Sequence, residues 1–220
     1  MKRISLIIFV LLAGIFTSFS YAYDDHDFQV WNTDLEEFKV NNKTKIALEQ
    51  EFRWGDNANE FFYQHYDIGL FYDLNKYLNV GGGYRQVYEL KSGTFKAEND
   101  PYLILTMLGD LMGFKFEDRS RMEYRNFNYQ NDSWRYRNKF TVKFPWKFTK
   151  MEIQPFVADE IFIGFERTIT QFNQNRFSAG LSIAIIKHLK AEIYYMLQSS
   201  KGSDIWKDAN VLGTKLKLSF

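Results

Sequence analysis

The side chains of this sequence that could do chemistry are three histidines and a long ladder of alternating charges. His65 lies two positions before Asp67 in a stretch with strand-like alternation, so imidazole and carboxylate share one face. That spacing would let an acid orient a base, as a hydrolytic triad requires. No serine is assignable to the pair, and a lone histidine on a strand is more often a member of a polar network. His26 stands beside Asp24 and Asp25 near the chain start, and His188 falls in a turn between Lys187 and Leu189. There is no cysteine and no histidine pair at metal-ligand spacing, so no metal or cofactor is expected. Asp56-Asn57-Ala58-Asn59 matches part of a calcium loop but lacks the rest of that motif.

The charge ladder is the larger feature. Lys115, Glu117, Arg119, Arg121, Glu123 and Arg125 occupy every second position, and Arg135, Arg137 and Lys139 do the same further on. Alternation at period two puts such residues on one face of a strand. Glu49, Glu51, Arg53, Asp67, Arg85, Glu89, Glu152 and Glu160 join the same face on other segments. The opposite face is aromatic and aliphatic, as in Trp134, Tyr136, Phe140, Val142 and Phe144, with Asp118 and Ser120 as polar interruptions. If the apolar face meets lipid, the charged face points into a lumen. Crowded charges there would pair, because an unpaired buried charge is costly. A salt-bridged interior that closes the lumen is the plainer reading. The sharper one is a selective cavity in which Arg119, Arg121, Arg125, Arg135 and Arg137 recognise an anion.

Eleven segments carry the alternation and must position these charges: 27–40, 43–54, 60–74, 77–90, 100–110, 114–127, 134–144, 150–163, 172–186, 189–200 and 208–220. Their length suits the roughly 9–11 residues of a tilted membrane-crossing strand better than the five or six of an average soluble strand. Connections at 41–42, 75–76, 110–113, 145–149 and 187–188 read as short, and those at 55–59, 91–99, 128–133, 165–171 and 201–207 as longer. Short turns on one rim and longer loops on the other is an outer-membrane pattern. Bacterial single-chain barrels use an even strand number. Eleven segments therefore leave 27–40 inside the lumen or at the seam, or the count off by one, and ten to twelve strands are expected.

Both ends of the chain support export. Met1-Lys2-Arg3, an apolar run from Ile4 to Phe16 and Ser20-Tyr21-Ala22 have the layout of a cleavable signal at 1–22, too short to span as a helix. That leaves one barrel domain at 23–220. Removing Lys2 and Arg3 and no acid takes the formal charge from +1 to −1, which gives no electrostatic case for nucleic acid. Without cysteine a lipid-modified N-terminus is excluded. Aromatics reach 19% with no long apolar run, which suits barrel girdles. Gly213, Leu216, Leu218 and the terminal Phe220 have the form of a barrel-assembly signal.

Several stretches resemble the bacterial family called domain of unknown function 2490. They are Leu48-Glu49-Gln50-Glu51-Phe52-Arg53 with Gly55-Asp56, Gly83 to Glu89, Asp118 to Arg125, Trp134 to Lys139, Pro155 to Glu160, Asn175 to Leu181 and Trp206 to Phe220. The resemblance implies an outer-membrane barrel and brings no reaction, ligand or catalytic residue. The expected protein is thus an all-β, antiparallel up-and-down transmembrane barrel in the outer membrane, either structural or a narrow solute channel with a charged lumen. Its expected partners are outer-membrane lipids and, during biogenesis, the barrel assembly machinery. A lipid- or peptide-hydrolysing barrel enzyme and a soluble periplasmic lipid-binding β-protein are the alternatives.

Overall fold

A computed structural model describes residues 25–166, 169–202 and 205–220; the signal expected at 1–22 lies outside them. The strands are β1 (Asp27–Lys39), β2 (Thr44–Gly55), β3 (Glu60–Asn75), β4 (Leu78–Lys91), β5 (Thr94–Leu111), β6 (Phe114–Phe127), β7 (Ser133–Lys143), β8 (Gln154–Glu166), β9 (Ile169–Ile186), β10 (Leu189–Lys201) and β11 (Trp206–Ser219). They close into one barrel in sequence order, each pair antiparallel except the seam. There β1 and β11 run parallel, from Asp27↔Ala209 to Glu37↔Ser219. An odd number of up-and-down strands brings the first and last together pointing the same way, so the count itself dictates a parallel seam. The even-number expectation fails for that reason, and the segment at 27–40 is the strand that closes the barrel.

The expected alternation of loop lengths is also corrected. The stretch 91–99 is not a loop: β4 and β5 meet through Ser92-Gly93, both with positive φ, a type I′ hairpin whose twist matches its strands. Met112-Gly113 joins β5 to β6 in the same way. The longest connection, at 144–153, lies on the rim expected to carry only short turns. Its left-handed residues Thr149 and Glu152, with the bridge Phe148↔Ile153, delay β8 until Gln154. The Asp56-Asn57-Ala58 tip is left-handed throughout, and its amides donate inward: Asp56 N and Asn57 N bond the Asp27 carboxylate at 3.3 and 2.9 Å. The tip wraps an internal anion, the opposite of a cation loop.

Alternation sorts the strands into two surfaces. Outward positions include Ile68, Leu70, Leu103, Phe140, Phe177, Ile193 and Tyr195, all exposed, with Leu103 at 72%. Polar interruptions on this face bond one another. Asn138 donates to Asp118 and Ser120, Asn32 to Thr214, and Asn175 to Asp159. Inside, glycines make room for rings. A Cβ on Gly83 would meet the Ile68 carbonyl and the Tyr102 ring, and one on Gly213 would meet the Tyr194 ring. Tyr194 also packs against the apolar cluster of Trp31, Met196 and Val211, which fills the lumen beside the seam.

Candidate functional site

The lumen is built from the inward positions of the strands. His65 is buried there, but Asp67 is not its partner. Its ring nitrogens lie 3.2 Å from the Tyr63 hydroxyl, 3.4 Å from Glu49 and 3.8 Å from Glu51. Asp67 is held instead by Arg85 Nε at 2.9 Å and by the Tyr102 hydroxyl at 2.5 Å. Side chains two apart on a strand share a face, yet groups on the neighbouring strands compete for the same contacts. Register decides: Asp67 faces Arg85 on β4, and His65 faces Glu51 on β2. The paired spacing in the sequence therefore does not become a dyad.

The charges form a continuous chain around the wall. Lys215 bonds Glu49 at 2.9 Å, and Glu49 meets Arg85 at 3.3 Å. Arg85 binds Asp67, which lies 3.6 Å from Arg121, and Arg121 reaches Glu123 at 2.8 Å. Glu123, fully buried, also takes Arg135 at 2.5 Å and Arg137 at 3.0 Å. Arg137 continues to Glu160 at 2.9 Å, which is shared with Arg119 and Arg176. Such sharing is the low-energy arrangement for ions taken out of water, since each charge keeps several partners of opposite sign. Asp100 and Arg121 are the exceptions. The buried Asp100 carboxylate accepts no hydrogen bond and lies 3.7 Å from Arg135, and Arg121 Nε and Nη2 are buried without a hydrogen-bond partner among the described residues.

Guanidinium–aromatic stacking crosses the waist. Arg53 lies between Tyr63 and Trp31, 3.8 and 3.6 Å from the ring centroids. Arg176 lies 4.8 Å from Trp31 and 4.6 Å from Phe162, and Arg137 is 4.8 Å from Phe162. Each contact joins a delocalised cation to a π-face. On either side of this partition is a cavity. One, of about 460 Å³, runs toward the rim carrying Phe220; the other, of about 360 Å³, runs toward the rim carrying Asp27. Trp31, Arg53, Arg85, Arg137 and Arg176 line both, so they are the wall between them.

Of the charges expected in the lumen, Glu49, Glu51, Arg53, His65, Asp67, Arg85, Arg119, Arg121, Glu123, Arg135, Arg137 and Glu160 share this central assembly. Arg125 pairs with Glu98 and Glu89 with Lys91, both nearer the Asp27 rim. Glu152 is corrected: it lies in the exposed 144–153 connection. There its bond from Lys147 at 2.7 Å holds its carboxyl below the ordinary range. Gly213, Leu216, Leu218 and Phe220 end the seam strand, where the Phe220 ring stacks on Phe38 at 5.2 Å.

Glu98 falls in the stretch 91–99 expected as a loop, and Asp100 opens the segment at 100–110 without being placed among the lumen charges. The alternation Lys96, Glu98, Asp100, Tyr102 was the available signal. Arg176 is flanked by Asn175 and lies two positions from Gln174, so polarity on both faces blurred its period. Trp31 escaped because aromatics were assigned to the outside.

No curated protein and no solved structure is matched by this sequence. One family model matches residues 28–208, β1 through the start of β11, under the description "Protein of unknown function (DUF2490)". The match takes in the Trp31–Arg53–Arg176 partition and most of the charge chain, and with it the chain belongs to that family.

Proposed function

We propose that the chain is an integral outer-membrane barrel, exported by the signal at 1–22 and closed at its waist by side chains. The observation that carries the reading is the inversion of its surfaces. Large apolar side chains cover the outward face, and the ion pairs lie inside. A water-soluble barrel would do the reverse, whereas a lipid-facing band of apolar residues with a polar interior suits a bilayer. Eleven to eighteen residues per strand are enough to cross at a tilt. Phe220 then marks the periplasmic rim. A soluble lipid carrier is disfavoured because its apolar surface would line the cavity. A hydrolase is disfavoured because the groups nearest His65 are Tyr63, Glu49 and Glu51, none placed as a serine nucleophile would be.

The partition makes the barrel two blind chambers, not a continuous pore. The protein should fractionate with outer membranes, migrate faster unboiled than boiled, and stay silent in planar bilayers. Trp31→Ala combined with Arg53→Ser should introduce discrete conductance steps. Recovery in the soluble periplasm, without heat-modifiable migration, would overturn the location. Steady conductance by the unaltered protein would overturn the closed waist.

A further inference from the structure

We propose that the chamber on the Phe220 side binds a small multivalent phosphate-type oxyanion between Arg119, Lys139 and Lys215. This deepens the reading above by giving the chamber an occupant, and it rests on the closed waist. Arg119, Lys139 and Lys215 all line this chamber.

Arg119 and Lys139 are cross-strand partners on β6 and β7, and Lys139 faces Glu160 on β8. Glu160 is already engaged by Arg137 at 2.9 Å and shared with Arg119 at 3.5 Å and Arg176 at 3.8 Å. Lys139 forms no ion pair among the described residues. Arg119 has only its long contact to Glu160, and its side chain stays 31% exposed. Lys215, on β11, shares Glu49 with Arg85. Lys215 lines the same chamber as Arg119 and Lys139, so cations from three strands face it.

Like charges held together inside a barrel repel unless an anion sits among them. The guanidinium offers a planar fork and the two ammonium groups offer point charges, a combination that suits a tetrahedral oxyanion with more than one charge. Exposed Asp73 and Lys190 line the same chamber, which gives it a route to water at the rim. The barrel wall separates the site from lipid, so the phosphate is that of a soluble molecule.

The test is calorimetric titration of inorganic pyrophosphate into the folded barrel in a non-ionic detergent at low salt, with folding read separately on unboiled gels. Saturable one-to-one binding is expected. Lys139→Gln and Arg119→Gln should each weaken it roughly tenfold, the loss of about one charge-assisted hydrogen bond. Glu117→Gln removes a chamber carboxylate that has no ion pair among the described residues, and it should tighten binding. It also carries the test if either cation variant fails to fold. Lys201→Gln, in the opposite chamber, should leave the affinity unchanged. No saturable heat with folded protein, unchanged affinity in Glu117→Gln, or an equal loss in Lys201→Gln would overturn the site. None of these outcomes bears on membrane location, which fractionation reads independently.

Discussion

Glu123 is the carboxylate that three lumen arginines share. It is fully buried, and Arg121, Arg135 and Arg137 all lie within 3.0 Å of its carboxylate. Removing one partner of a buried ion pair leaves the others uncompensated in a poorly solvated site, at a cost of about 3–5 kcal/mol. Glu123→Ala should therefore lower the temperature at which the compact unboiled band is lost, while Lys147→Ala, in an exposed pair, should leave it within error. Equal behaviour of the two variants would show that the buried chain contributes little. Glu123 was legible in the sequence because charges occupy every second position of its strand from Lys115 to Arg125. Asp100 opens the segment expected at 100–110, but the loop expected at 91–99 hides the eighteen-residue strand in which it alternates with Glu98. The His65–Asp67 pairing misled for a related reason: spacing along one strand fixes the face, and the partner depends on the register of the strands beside it.

Among the elements, the β6–β7 connection shows how a turn is held without long side chains. Asp132 accepts hydrogen bonds from the Tyr124 hydroxyl at 2.7 Å, Asn126 Nδ2 at 2.9 Å and Phe127 N at 3.1 Å. Those donors, the Tyr124 hydroxyl first, hold its carboxyl below the usual carboxylate value. A depressed folded pKa contributes stability that is present above the unfolded value, about 3.9. The contribution is lost as pH falls from there through the folded value. Limited proteolysis at 128–133 should accelerate in Asp132→Ala at neutral pH. In the unaltered protein, hydrogen exchange at Phe127 should rise only below that window, once the intrinsic pH dependence is removed. Insensitivity of both would mean that the turn is held by its strands alone. The hairpins at Ser92-Gly93 and Met112-Gly113 carry the same lesson. Gly at the second position was readable as a turn, but the two-residue length follows from strands that continue pairing to the tip.

For the whole molecule, eleven strands closing through a parallel seam explain how the first and last strands meet. β1 brings Trp31 across Met196 and Val211 and against Arg53 and Arg176, so the strand that seals the wall also supplies the centre of the partition. Period and length gave eleven segments, but a parity rule drawn from other barrels left the count between ten and twelve and the first segment either in the lumen or at the seam, where the structure places it. Insertion in the bilayer is the central claim, and the absence of native cysteine allows a direct test. Single cysteines would replace outward Leu103 and Phe177, with Ser92→Cys at the hairpin tip as a surface reference, and intact cells would be treated with a membrane-impermeant maleimide. Labelling of Ser92→Cys, with Leu103→Cys and Phe177→Cys protected until the protein is unfolded by boiling in detergent, is the expected result. Labelling of all three at the same rate in intact cells or native membranes would contradict insertion.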